Sequence, residues 1–133
     1  MKKHTNRLNI DEKWLKFAEE DYKLVSFLYN EQKDFYRSIC FHAQQFVEKI
    51  LKGILEGAGL SPLKIHDINA LVKRVSKLGI IVPLKEREIL FLSSIYIDVR
   101  YPPDVGLLPN GEPSRKDVDI AVEAVRRLKR WVS

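Results

Sequence analysis

Twelve consecutive residues, Phe41-His42-Ala43-Gln44-Gln45-Phe46-Val47-Glu48-Lys49-Ile50-Leu51-Lys52, leave this chain little choice of local structure. Ile39, Ala43, Phe46, Ile50 and Ile54 recur at spacings of three and four, the period of one helical face. His42, Gln45, Lys49, Lys52 and Glu56 step in the same way along the neighbouring face. Phe41, Gln44, Glu48, Leu51 and Leu55 make a mixed stripe beside them. A plain surface helix would show mostly Glu, Lys and Ala to water. Here an imidazole and two carboxamides stand next to the core. Their directional donors and acceptors either fill rim positions with satisfied hydrogen bonds or serve a ligand or a partner helix.

Helical periodicity recurs in five places, and no stretch alternates apolar and polar residues in the manner of a strand. The first helix is expected over 11–29, with Trp14, Phe17, Leu24 and Leu28 on its apolar stripe. The second runs over 35–57, where Gly57-Ala58-Gly59 reads as a C-cap. Asp67 is the N-cap candidate for a third, 68–78, with the stripe Ile68, Leu71, Val72, Val75 and Leu78; Gly79 stops it. Pro83 precedes a fourth, 84–99, apolar on more than one face and hence either central or set against a second subunit. The loop 102–114 holds Pro102, Pro103, Gly106, Pro109, Gly111 and Pro113, too many breakers for regular structure. The last helix, 115–131, carries Val118, Ala121, Val122, Val125, Leu128 and Val132 on one stripe. The expected fold class is all-α: an antiparallel up-down bundle of four long helices plus one short helix. Trp14, Phe17, Phe46, Ile50, Leu71, Val75, Leu92 and Val125 are the expected interior.

A chain of 133 residues is expected to form a single domain, 1–133, opening with a basic arm, 1–10. No apolar run reaches the roughly 18 residues that a membrane span requires. The basic start runs into Asn9, Asp11 and Glu12 where a signal peptide needs an apolar segment, so a cytoplasmic location is expected. Cys40, the one cysteine, excludes an internal disulfide and reads as a small core residue. The net charge of +5 suits a polyanion partner without requiring one.

Asp21 is the charged member of the stripe 14, 17, 21, 24, 28, and a buried carboxylate needs a cation or several donors. Arg100, Lys49 and Lys52 are the candidate partners; a small rotation of the helix would instead leave Asp21 at the rim. In Arg100-Tyr101-Pro102 the proline turns Tyr101 out of the helical conformation. Arg100 can then satisfy the last carbonyls or present its guanidinium to a phosphate or carboxylate, with Tyr96 one turn before it on the same face. Asp21, His42, Gln44, Gln45, Lys49, Lys52, Tyr96, Arg100 and Tyr101 are therefore the candidate ligand-binding residues. Other patterns carry less. Ser61-x-x-Lys64 has no oxyanion device beside it, and no glycine-rich phosphate loop or paired-histidine helix motif is present. His42 and His66 would bind a metal only if acidic ligands were brought to them. No cofactor, metal site or nucleophile–base pair is expected.

These residues resemble the HEPN domain family, whose name abbreviates higher eukaryotes and prokaryotes nucleotide-binding. The carrier is the stretch 41–52, similar to the family's A-Q-Q-x-x-E-K-x-L-K signature. Ala18-Glu19-Glu20-Asp21-Tyr22, His66-Asp67-Ile68 and Arg100-Tyr101-Pro102 follow the family pattern in the same order, from about Lys13 to Trp131. The resemblance implies a helical bundle, usually a homodimer, of the minimal type paired with small nucleotidyltransferases in prokaryotic two-component cassettes. It also implies a nucleotide or RNA as ligand. Many family members are ribonuclease toxins whose motif is an arginine and, after a spacer of four to six residues, a histidine. Arg100 is present, but the matching positions are Val105, Gly106 and Leu107, and no histidine follows His66. Without that general base the expected role is a binding and partnering module. The alternative is a ribonuclease toxin of a toxin-antitoxin pair that uses His42 or His66 instead.

Overall fold

The computed structural model describes residues 8–31, 34–61, 64–95 and 112–133, and among them every regular element is an α-helix. There are five: α1 (Glu12–Asn30), α2 (Tyr36–Gly57), α3 (Ile68–Ser76), α4 (Glu86–Ser94) and α5 (Arg115–Val132). Three are long, at 19, 22 and 18 residues, and α3 and α4 have nine each. The expected four long helices and one short are therefore three and two among the described residues.

Local chemistry explains the ends. The Asp11 carboxylate accepts from the backbone N–H groups of Lys13 and Trp14 and caps α1. Asp67 caps α3 through Asn69 N at 3.2 Å, and Ser114 with Asp117 forms a reciprocal capping box on α5. Helix α2 closes as the Gly57-Ala58-Gly59 reading anticipates. Gly59 turns at φ +84°, Leu60 N donates to Leu55 O, and Gly59 N to Glu56 O, which together form a Schellman motif. Helix α4 ends at Ser94, and 96–99 of the expected span lie outside the described residues. Ser94 Oγ donates to Phe91 O at 2.6 Å and Ile95 is extended, with ψ 113°, so a serine hydroxyl competing for helix carbonyls coincides with its end.

Helix α2 is the centre of the molecule and packs against all four others. Phe46, Val47, Ile50, Leu51, Ile54 and Leu55 are buried along it. For the fourth helix the sequence allowed a central place or one against a second subunit; of α4's nine residues only Glu88 and Leu92 are buried, and Leu90 is 60% exposed, so it is not central. The apolar stripe of α5 is buried as expected, together with Ala124. Cys40 lies in the core, where burial, helped by the charge of Asp117, pushes its thiol up to about 12.

Helix α1 sits rotated from the expected stripe. Ala18, Asp21, Val25 and Leu28 face the core, Trp14 is half-buried, and Phe17 is 44% exposed. The reason is close approach. A Cβ on Gly53 would lie 2.7 Å from Ile10 Cγ2 and 3.0 Å from Trp14 Cβ, so the start of α1 runs directly over α2. Asp11 N donates to Gly53 O, and Asn9 Nδ2 to Gly57 O at 2.8 Å. At that separation a buried alanine fits the interface.

Candidate functional site

The polar residues of α2 fall into two networks, each built on one buried carboxylate. The first joins α1 to α2. His42 Nδ1 donates to Asp21 Oδ1 at 2.8 Å, and Lys49 Nζ to Asp21 Oδ2 at 2.7 Å. Burial raises the carboxyl's pKa, but the hydrogen bonds from His42 and Lys49, with their charges, outweigh that and hold it below the usual carboxylate value. Lys49 is thus one of the anticipated partners of Asp21. The other nearby candidate, Lys52, is not: its Nζ lies 2.7 Å from Glu48 Oε2.

The second network surrounds that glutamate. Glu48 Oε2 also accepts from His66 Nδ1 at 2.9 Å, and Glu48 Oε1 from Gln44 Nε2 at 3.1 Å. Gln45 Nε2 in turn donates to Gln44 Oε1 at 3.0 Å. Gln44, Glu48 and Lys52 are all buried, and every lone side-chain donor or acceptor enclosed among the described residues has a partner. The result is a closed polar floor. Helical spacing makes it: 44, 48 and 52 are four apart, so carboxamide, carboxylate and ammonium stack on one line.

Above this floor opens a pocket of about 520 Å³. Gln44, Gln45 and Glu48 line its α2 side, His66 and Asp67 the entry to α3, and Ser93, Ser94 and Ile95 the end of α4. Ser93 Oγ accepts from Asn69 N at 3.0 Å, which ties the end of α4 to the first turn of α3. The side chain of His66 is 73% exposed although its Nδ1 is held by Glu48. In the neutral ring a proton on Nδ1 leaves Nε2 a bare acceptor. No described group of three or more His, Cys, Asp and Glu side chains could hold a metal ion.

Of the candidate residues, the structure thus brings Asp21, His42 and Lys49 into one cluster and Gln44, Gln45 and Lys52 into the other. Tyr96, Arg100 and Tyr101 lie outside the described residues. Gln45 turns toward Gln44 and not toward Asp21, so the described candidates form two clusters. Sequence reasoning missed Glu48 as the hub and gave Asp67 only a capping role. The available signal was Glu48 placed four residues from both Gln44 and Lys52 on a half-apolar stripe. It also missed Glu88, 1% exposed, which accepts from Lys85 N at 2.8 Å and Arg127 Nη1 at 2.7 Å and so pins α4 to α5.

A family model described as HEPN domain matches residues 12–133. No curated protein and no solved structure matches the chain.

Proposed function

The chain belongs to the HEPN domain family, a nucleotide- and RNA-binding family, and from that premise we propose a non-catalytic helical module that binds a nucleotide or nucleic acid. It dimerises, acts with a small nucleotidyltransferase and works in the cytoplasm as one antiparallel up-down domain. The observation that carries the reading is the pocket of about 520 Å³ over the Gln44–Glu48–Lys52 floor. Its volume falls in the range of small-molecule sites, and its rim offers hydrogen-bonding groups that the fold does not consume. No described helix is long and apolar enough to cross a membrane. Dimerisation draws support from apolar side chains left in water, Phe17, Leu24 and Phe27 on α1 and Leu90 on α4.

Arg100 supplies the phosphate contact in this reading, and Gln45 a contact to base or sugar. Calorimetric titration with ATP, GTP and short RNA tests it on the wild type and Arg100→Ala. The expected result is saturable binding that weakens in the variant; absence of binding by the wild type defeats the reading. A sedimentation run at about tens of micromolar, where a micromolar dimer is populated, should show two copies.

One observation favours a second reading, a ribonuclease. The Glu48 carboxylate orients His66 with Nε2 facing outward at the pocket, which is how a general base is held. RNA cleavage by the wild type that disappears in His66→Ala would replace the first reading with this one.

A further inference from the structure

Resting on the nucleotide-binding reading, we infer that the pocket over Glu48 is a nucleobase subsite selective for guanine, with Asp67 as the residue that reads the base. The argument begins with what the lining rejects. Two carboxylates, Glu48 and Asp67, border the pocket, and none of its described lining residues is a lysine or arginine. Lys52, in the floor beneath it, is 4% exposed and already paired with Glu48. With Glu48 neutralised by Lys52, a phosphate placed here would still face the Asp67 carboxylate with no lysine or arginine among the described lining residues to offset it, which favours a neutral or cationic group.

The uncommitted atoms then define the ligand's edge. Gln44 and Glu48 are spent on each other, on Lys52, on Gln45 and on His66. Asp67 uses Oδ1 for the α3 cap, and no described residue hydrogen-bonds Oδ2. Gln45 donates through Nε2 and keeps Oε1. His66 gives Nδ1 to Glu48 and keeps Nε2, an acceptor in the neutral ring. Three acceptors thus stand around the cavity. The Ser93 hydroxyl, whose oxygen accepts from Asn69 N, keeps its proton to donate.

Guanine is the base that matches an acceptor-rich rim. Its Watson–Crick edge carries N1–H and the exocyclic amino group side by side, and a carboxylate accepts both at once. Adenine and cytosine set one amino group beside a ring nitrogen that would repel the second carboxylate oxygen. Uracil has a single N–H between two carbonyls. The guanine carbonyl needs a donor, and among the described lining residues the Ser93 hydroxyl and the second N–H of Gln45 are open to supply it, while Ile95 contributes an apolar wall. A carboxylate keeps about four lone-pair directions, so the Asn69 cap does not prevent Asp67 from making the paired contact.

The test is calorimetry with guanosine, inosine, adenosine, cytidine and uridine monophosphates on the wild-type chain and Asp67→Asn. Asparagine caps a helix as well as aspartate does, so the variant keeps α3, and an unchanged urea midpoint verifies this. Guanosine monophosphate should bind about tenfold or more tightly than adenosine monophosphate, the discrimination of one good bidentate base contact. Inosine monophosphate, without the amino group, should fall between them, and Asp67→Asn should level the series. Equal binding of all five leaves nucleotide binding intact and overturns the guanine assignment, as does a preference that survives in Asp67→Asn. Displacement of every nucleotide by putrescine, a donor-rich cation, overturns it as well. Failure of all five to bind defeats both this inference and the reading on which it rests.

Discussion

Asp21 and Glu48 are two buried carboxylates, each holding a lysine at 2.7 Å and a histidine Nδ1 at 2.8–2.9 Å. The parts are the same, but the surroundings differ. Around Asp21 both partners keep some contact with water, the lysine side chain at 25% and the histidine at 28%. Around Glu48 the extremes separate: Lys52 is sealed in at 4% while His66 stands 73% exposed. The first network is a clamp between α1 and α2. The second neutralises its own charge inside the fold and presents an oriented imidazole outside it. Identical pairings therefore serve packing in one place and a pocket in the other, and the distribution of water decides which.

If that contrast is right, the two carboxylates should differ most when removed. Glu48→Ala strands a buried ammonium and should cost about 3–5 kcal/mol, the range for breaking a buried ion pair. Asp21→Ala leaves a lysine and a histidine that can turn to solvent, and should cost only roughly 1–3 kcal/mol. Urea unfolding of both variants measures the difference. The double change Glu48→Leu with Lys52→Met should recover much of the first loss, since a well-packed apolar pair often replaces a buried ion pair without penalty. Equal losses from the two alanine variants would erase the distinction.

The contrast was half legible in the sequence. The helix caps were readable because capping is local: Asp67 stands directly before the helix it starts, and Gly59 announces its left-handed turn. The polarity of α2 was equally plain, since 42, 45, 49 and 52 repeat at helical spacing. What the sequence did not disclose was rotation. The stripes 14, 17, 21, 24, 28 and 14, 18, 21, 25, 28 have the same period, and Phe17 outweighs Ala18 on any hydrophobic scale. The choice depends on a different helix: Ile10 and Trp14 come close over Gly53, and in that setting Ala18 is buried while Phe17 stands in water. Pairing was hidden for the same reason. Lys49 and Lys52 are both plausible partners for Asp21 until the azimuth of α2 gives one to α1 and the other to Glu48. The length of α4 was misread because its apolar residues support a helix well past the point where Ser94 bonds back to Phe91.

Acid should separate the networks by a smaller amount. The Asp21 carboxyl titrates below its ordinary 3.8 when folded, so its contribution is present above that value and is lost as pH falls through the depressed one. Below about pH 4 the unfolded chain binds this proton first, and stability falls with pH. Asp21→Asn should remove that part of the acid slope, with the variant already less stable at neutral pH. Chemical denaturation at intervals from neutral pH down to about pH 3, spanning the ordinary carboxylate range, reads the slope. An unaltered slope in Asp21→Asn would mean that the clamp is not what acid releases.

The smallest change in stability should come from the histidine nearest the pocket. His66 is mostly in water, and its one hydrogen bond to Glu48 contributes on the order of 1 kcal/mol or less, so His66→Ala should move the urea midpoint very little. Glu48 still keeps Lys52 and Gln44 when the ring is gone, and nothing buried is left unpaired. His42→Ala takes one of two partners from a buried Asp21 and should cost more stability. Ligand affinity should run the other way. His66 lines the pocket and offers it Nε2, so its loss should weaken binding of guanosine monophosphate, whereas His42 serves the clamp and its loss should leave that affinity near the wild-type value. Measuring midpoint and affinity on both variants crosses the two effects. Affinity lost in His42→Ala and kept in His66→Ala would invert the assignment and make the Asp21 network the binding site.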